Sequence, residues 1–223
     1  MATYTNPTGT ITATGGDDTI IFNLSPASSS TIDAADGRDS LLVQFDSATP
    51  AKFDISDEFD AGFFDAQINV NPFTPAYVLH VENVDVRGTV NDDIFSLKIG
   101  PNSSSLAVNM DGGAGQDSLR FIWTTMTTGM SFVVNGATIT SSFGTFSNFE
   151  TFPIMAGSGN DTITTGAGDD SIDSGDGVDH VSAGAGNDNI TVQSSGGMVD
   201  AGEGNDFVYI YAGSSGFAGS IDG

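Results

Sequence analysis

The last third of the chain repeats its apolar positions every nine residues. One apolar residue per repeat recurs at this spacing, and the members of the series are Ile163, Ile172, Val181, Ile190, Val199 and Val208. A period of nine with one inward-facing residue is typical of a short strand joined to a tight turn and stacked many times. The pattern therefore predicts a thin core of stacked Ile and Val side chains.

Glycine and aspartate occupy fixed positions between the apolar residues. The first glycine column contains Gly157, Gly166, Gly175, Gly184 and Gly202, and the second contains Gly159, Gly168, Gly177, Gly186 and Gly204. The aspartate column contains Asp161, Asp170, Asp179, Asp188 and Asp206. A tight turn that needs positive φ and close backbone approach favours glycine, because a Cβ would oppose both. The columns therefore predict a series of equivalent turns.

The spacing of the turns predicts calcium sites between coils. Two repeats complete one predicted coil of about 18 residues, so Asp161 lies below Asp179 on one edge. Asp170, Asp188 and Asp206 lie on the other edge. Parallel strands are about 4.8 Å apart, so a Ca²⁺ ion midway would lie about 2.4 Å from each, which matches its usual ligand distance. Gly197 stands where the next aspartate is expected, and this predicts a weak or missing site after Asp179.

Weaker copies of the turn occur upstream. They place further candidate ligands at Asp18, Asp39, Asp92 and Asp117, with Gly113 and Gly115 in the last of these turns. The expected pairs are Asp18 with Asp39 and Asp92 with Asp117. Two stretches, roughly 43–86 and 120–155, lack glycine-rich turns but contain alternating apolar residues. They are predicted to be further strands of the same stack, separated by loops.

The composition and net charge of the chain limit the classes of molecule that it could bind. Acidic residues outnumber Lys and Arg by 29 to 5, which gives a formal net charge of −24. Such a chain is unsuited to nucleic acid or to an anionic membrane surface, and no stretch is apolar for long enough to insert in a membrane. There is no cysteine, so bound metal is the expected staple. We expect several Ca²⁺ ions.

The run from Gly157-Ser158-Gly159-Asn160-Asp161-Thr162-Ile163 to Asp206 resembles the haemolysin-type calcium-binding (RTX) repeat. The Glu82-Asn83-Val84 segment, which leads into a Gly-x-x-Asn-Asp-Asp-Ile turn, is also similar to segments of long secreted members of that family. The resemblance implies a parallel β-roll, folding triggered by Ca²⁺, and export from bacteria by a type I secretion system. The protein is then expected outside the cell or at its surface.

We therefore expect an all-β protein, a right-handed parallel β-roll or β-solenoid with calcium-binding glycine-rich turns and loop insertions. Residues 1–155 are expected to form an irregular region with degenerate turns, and residues 156–223 a regular roll. Trp123 could mark a binding surface or fill the core, and we favour the core.

The expected function is that of a calcium-binding structural module that folds on Ca²⁺ binding after export. One alternative is a segment of a surface-layer protein or adhesin, with neighbouring copies or cell-surface glycans as partners. Another is an appendage of a secreted protease or polysaccharide-active enzyme, or such a polysaccharide-active enzyme itself. The chain lacks the His-Glu-x-x-His and Gly-x-Ser-x-Gly motifs, so we expect no enzyme.

Overall fold

The computed structural model describes residues 2–5, 9–24, 30–33, 40–45, 52–57, 66–70, 76–79, 83–100, 107–193, 196–211 and 217–223. These residues form β-strands and contain no helix. The strands are β1 (Thr3–Thr5), β2 (Gly9–Thr12), β3 (Thr19–Leu24), β4 (Ser30–Asp33), β5 (Ser40–Phe45), β6 (Lys52–Asp57), β7 (Ala66–Val70), β8 (Ala76–Leu79), β9 (Asn83–Thr89), β10 (Ile94–Lys98), β11 (Ala107–Gly113) and β12 (Ser118–Ile122). They continue with β13 (Ser131–Asn135), β14 (Thr138–Ser141), β15 (Gly144–Ser147), β16 (Pro153–Met155), β17 (Thr162–Thr164), β18 (Ser171–Asp173), β19 (Val178–Ser182), β20 (Asn189–Val192), β21 (Gly196–Asp200), β22 (Phe207–Ile210) and β23 (Ser220–Asp222).

The strands form two sheets, and the chain alternates between them. The first sheet has the order β1-β3-β5-β9-β11-β15-β14-β13-β17-β19-β21-β23, and the second has the order β2-β4-β8-β7-β6-β10-β12-β16-β18-β20-β22. Neighbouring strands are parallel, except where β14 pairs with β13 and β15, and where β7 pairs with β6 and β8. This arrangement confirms the predicted all-β fold, a parallel β-roll.

The regular part of the roll has the predicted coil length. From β16 onward, strands of one sheet pair with residues 18 positions away: Ile154 lies beside Ile172, and Ile172 lies beside Ile190. In the other sheet Ile163 lies beside Val181. Two nine-residue repeats therefore make one coil, with one short strand in each sheet.

Upstream coils are longer and less regular. Phe95 pairs with Leu119, and Phe121 pairs with Ile154, so the chain between neighbouring strands contains insertions. One insertion is the antiparallel excursion of β13 to β15, in which the turn at Gly136 has a φ of +61°. The stretches without glycine-rich turns thus contribute strands to the same two sheets, as predicted. Both sheets continue through residue 155, and the domain division expected there stays a prediction.

The core changes character along the roll. In the regular part it is narrow, and its buried residues are Ile163, Val181 and Val199 of one sheet and Ile172 and Ile190 of the other, together with Ala183, Val192 and Ala201. Before that point it is wide and aromatic. Phe121 lies at its centre, with the ring of Trp123 4.9 Å away and that of Phe132 5.5 Å away. Trp123 is 1% exposed, which confirms its expected place in the core.

Candidate metal centre

The aspartates that end the glycine-rich turns lie inside the roll. Five of them are each at most 3% exposed, and they are Asp117, Asp161, Asp170, Asp179 and Asp188. Each carboxylate is two residues before an inward-facing apolar side chain, so the alternation of the strand directs it inward as well. The sequence thus places a column of buried acids along each edge of the roll.

One oxygen of each buried carboxylate accepts a hydrogen bond from the preceding coil. Along the edge that leads into the second sheet, Asp206 accepts from the amide of Asp188, Asp188 from that of Asp170, and Asp170 from that of Phe152. The donor–acceptor distances are 3.0, 2.8 and 2.8 Å. Each carboxylate therefore lies in the gap between its own turn and the turn below.

The other edge has the same arrangement over fewer turns. Asp179 Oδ1 accepts from the Asp161 amide at 3.0 Å, and Asp161 Oδ1 accepts from the Met130 amide at 2.7 Å. The column ends at Gly197, which lies beside Asp179 in β21 and has a φ of +136°. The structure thus places no carboxylate at the position where the sequence predicted a missing site.

The second carboxylate oxygen distinguishes one group of these acids. Among the residues that the structure describes, Oδ2 of Asp117, Asp170, Asp179 and Asp188 is buried and accepts no hydrogen bond of good geometry, although the hydroxyls of Thr165 and Ser174 are close enough to lower the pKa of Asp170 and Asp179 in part. The Oγ atom of Ser174, in the turn before Asp179, is also buried without a hydrogen-bond partner. A buried polar atom without a partner is costly, so a cation or another donor at these positions would stabilise the fold.

Burial raises the pKa of several of these carboxyl groups. Desolvation raises the pKa of Asp170 to about 7, in spite of hydrogen bonds from the Thr165 side chain and the Phe152 amide. It raises the pKa of Asp179 to about 6, and that of Asp117 to about 6. Neighbouring acids contribute in the same direction, for example Asp188 beside Asp170. Without a cation, the fold therefore opposes the negative charge that these residues carry at neutral pH.

The regular part of the roll contains no Lys or Arg residue. All five Lys and Arg residues of the chain lie in its first 120 positions, and they are Arg38, Lys52, Arg87, Lys98 and Arg120. A buried charge without a partner is strongly destabilising. For the carboxylates from Asp170 to Asp206, bound cations and protons are therefore the main sources of neutralisation, with His180 beside Asp179 as a weaker one.

Backbone carbonyls surround the same gaps. Gly184 and Gly202 have φ angles of +99° and +91°. A Cβ at Gly184 would overlap the carbonyl oxygen of Gly166 in the coil below. At Gly186 it would overlap that of Gly168. Glycine thus allows successive turns to approach closely and brings their carbonyl oxygens near the carboxylates.

These donors fit calcium. Ca²⁺ accepts carboxylate and carbonyl oxygens and tolerates irregular coordination. Nowhere in the described part of the chain do three acidic or histidine side chains converge on one point. Any ion in these gaps would therefore take most of its ligands from turn carbonyls, with carboxylates such as those of Asp170 and Asp179 supplying the negative charge.

Comparison with known families agrees with this chemistry. Residues 155–190 match the RTX calcium-binding nonapeptide repeat, in four copies. These residues are RTX repeats. The RTX repeat is a calcium-binding unit typical of secreted proteins exported by type I systems. A search of curated proteins found no match to the chain. None of the described residues forms a helix long and apolar enough to span a membrane.

The RTX match covers the turns of Asp161, Asp170, Asp179 and Asp188, and it ends before the turn of Asp206. The ten predicted turn glycines from Gly157 to Gly204 all lie outside the strands. In the upstream turn of Asp117, Gly113 and Gly115 have φ angles of +103° and +146°. The assignment of these residues as ligands stays a prediction.

One of the two upstream pairs differs from the predicted one by one residue. The amide of Asp93, which is fully buried, donates to Asp117 Oδ1 at 2.7 Å. Asp92 is exposed, and its Oδ1 accepts from the Gln116 amide at 2.9 Å. Asp93 therefore occupies the position that the sequence assigned to Asp92. Asp18 is buried as expected, and Asp39 lies outside the described residues.

Sequence reasoning did not find Glu150. Its Oε2 accepts from the Asp117 amide at 2.7 Å, so it continues the carboxylate ladder of that edge. The segment around it contains no glycine-rich turn. The available signal was its position two residues before Phe152, which matches the spacing of Asp161 to Ile163.

Proposed function

We propose that this chain is a calcium-stabilised structural module of a secreted bacterial protein, and that its roll folds when Ca²⁺ binds outside the cell. The observation that supports this most directly is the set of buried carboxylate oxygens without a partner, at Asp117, Asp170, Asp179 and Asp188. In a metal-free roll these charges are desolvated and uncompensated. A divalent cation between the coils would compensate the negative charge of these carboxylates and give their unpartnered oxygens a ligand contact.

The thin core supports the coupling of folding to calcium. A regular coil buries few large apolar side chains, such as Ile172 and Val181, and the others that it buries include small ones such as Ala183. Its glycine-rich turns lose much backbone entropy when they become ordered. Apolar burial therefore gives a regular coil less support than the wide aromatic core gives the segment before it. Ion binding would then be part of the folding free energy.

Calcium-coupled folding also suits export. In a cell interior with little free calcium the repeats would stay unfolded, and they would fold on reaching calcium outside. The chain has no catalytic motif that we recognise, so we assign it a structural role. Three other roles remain predictions from the sequence: attachment to a surface, assembly with neighbouring copies, and a place as the non-catalytic appendage of a secreted enzyme.

A calcium titration followed by circular dichroism tests the proposal. We expect the β signal of the metal-free protein to increase saturably with Ca²⁺ and to decrease again with excess chelator. Mg²⁺ is the matched control, because it demands a small octahedral shell and should not restore the signal at equal concentration. A strong β signal that is unchanged by chelator would contradict the coupling of folding to calcium.

A further inference from the structure

Asp161 differs from the next aspartate of its column in one contact. Its Oδ2 atom accepts a hydrogen bond from the indole Nε1 of Trp123 at 3.3 Å. The equivalent oxygen of Asp179, one coil later, accepts no hydrogen bond of good geometry from the described residues, and the hydroxyl of Ser174 is its nearest donor. Both residues are almost fully buried. The two turns thus have the same aspartate but different surroundings.

The indole lies on the side of Asp161 where the ion of that gap would be expected. Each carboxylate of the column reaches toward the coil below, and that of Asp161 reaches the Met130 amide. The coil below Asp161 is the segment from Trp123 to Met130. A Cβ at Gly157 would lie 2.9 Å from the Trp123 carbonyl oxygen, which shows how closely the two turns stack.

Two upstream turns supply donors to their aspartates in a comparable way. In the turn of Asp93, Thr89 donates its amide to Oδ2 at 2.6 Å and its hydroxyl to Oδ1 at 3.1 Å. In the turn of Asp18, Thr14 donates its amide to Oδ2 at 2.7 Å and its hydroxyl to the same oxygen at 2.7 Å. These threonines are four residues before the aspartate.

Glycine occupies that position in the turns whose aspartates have an unpartnered oxygen. The aspartates concerned are Asp117, Asp170, Asp179 and Asp188, and the glycines are Gly113, Gly166, Gly175 and Gly184. Asp161 also has a glycine there, Gly157, whose amide lies near the carboxylate, and the indole supplies a further donor. Asp161 thus has a well-formed side-chain donor at Oδ2, which the four aspartates with an unpartnered oxygen lack.

We propose that Trp123 stands in for a calcium ion at Asp161, so that this turn closes without metal and the calcium-dependent part of the regular roll begins at Asp170. This inference rests on the proposed function, since it assigns which turns need the ion. Trp123 also packs against Phe121, with ring centroids 4.9 Å apart, so it connects this turn to the wide aromatic core. Trp123 therefore joins the aromatic core to the metal-dependent part of the roll.

The first test compares two asparagine variants by counting bound calcium at saturation. Asp161→Asn and Asp179→Asn change matched residues, 18 positions apart in one column, and each retains an oxygen for its backbone donor. We expect Asp161→Asn to bind as many ions as the unmodified chain and Asp179→Asn to bind one fewer. Loss of an ion from Asp161→Asn as well would overturn the proposal.

The second test needs no substitution, so it stands even if a variant fails to fold. Trp123 is the single tryptophan, and ¹⁵N labelling gives one indole resonance. We expect the indole N–H to be protected from solvent exchange both in calcium-free and in calcium-loaded protein. Rapid exchange without calcium, or loss of protection on adding calcium, would overturn the proposal. If the unmodified chain binds no calcium at all, the proposed function fails instead, and the ion count shows this independently.

Discussion

Acid should replace calcium in stabilising the roll, because the buried carboxylates can be neutralised by protons as well as by a cation. The perturbation is a change of pH in protein freed of calcium by a chelating resin. Burial raises the pKa of Asp170 from 3.8 to about 7 in the metal-free fold. A raised carboxyl pKa stabilises the folded state below the unfolded value of 3.8, and this stability is lost as the pH rises through the folded value of about 7.

The expected magnitude follows from these two values. Between about pH 7.5 and about pH 5, protonation of Asp170 alone would stabilise the metal-free roll by about 2 to 3 kcal/mol. Asp179 and Asp117, each with a pKa raised to about 6, would contribute roughly 1 kcal/mol apiece in the same direction. Working at about pH 5 avoids the isoelectric point of about 4.1, where precipitation would interfere.

The assay is urea unfolding, followed by circular dichroism, at several pH values with and without calcium. Without calcium we expect the unfolding midpoint to rise as the pH falls. With saturating calcium we expect the opposite slope, because the ligands must be deprotonated to bind the ion. A metal-free midpoint that is constant, or that falls on acidification to about pH 5, would refute the reasoning.

Asp170→Asn is the matched variant for this experiment. The amide keeps an oxygen for the Phe152 N–H but carries no charge. We expect the variant to be more stable than the unmodified chain without calcium at about pH 7.5, to lose most of the acid stabilisation, and to bind calcium more weakly. An unchanged pH dependence would show that Asp170 is not the group that titrates.

Three further substitutions test the packing of the roll. Gly184→Ala should abolish cooperative folding of the repeats in urea unfolding, because its Cβ would overlap the Gly166 carbonyl, whereas Gly196→Ala, with open space at its Cβ, should be close to neutral. Ile172→Ala should lower the free energy of unfolding in calcium by about 2–5 kcal/mol, and a smaller loss would indicate a loosely packed core. Gly197→Asp should add no calcium ion by direct counting, because its φ of +136° disfavours any side chain, and a gained ion would contradict this.

The periodic part of the fold could be predicted from the sequence because one physical rule generates it. A single inward residue every nine positions fixes the strands, the coil length and the inward direction of each aspartate. Ile163 beside Val181 is the direct outcome of that rule. The glycine columns follow from the close approach of the turns, which excludes any Cβ.

The upstream turn of Asp93 shows where such reasoning fails. Ile94 and Phe95 are both apolar, so the sequence does not reveal which of them faces inward. In the structure Ile94 is 48% exposed and Phe95 is buried, and this alternation makes Asp93, not Asp92, the inward carboxylate. A one-residue change of register therefore transfers the site from one aspartate to its neighbour.

The contact between Trp123 and Asp161 could not be predicted from any repeat. The two residues are 38 positions apart, and the segment between them leaves the regular coil in an antiparallel excursion. The same holds for Glu150, whose carboxylate reaches the Asp117 amide from a turn without the glycine columns. Long-range contacts of inserted segments depend on the paths of their loops, which the periodicity does not determine.

Hydrogen exchange with and without calcium tests the central claim most directly, because it reports on each part of the roll separately. In metal-free protein at about pH 7.5, we predict that amides of residues 170–206 exchange rapidly and become protected when calcium is added. Amides of residues 120–155 should be protected under both conditions. Equal protection of residues 170–206 with and without calcium would contradict the claim that calcium binding and folding of the roll are one process.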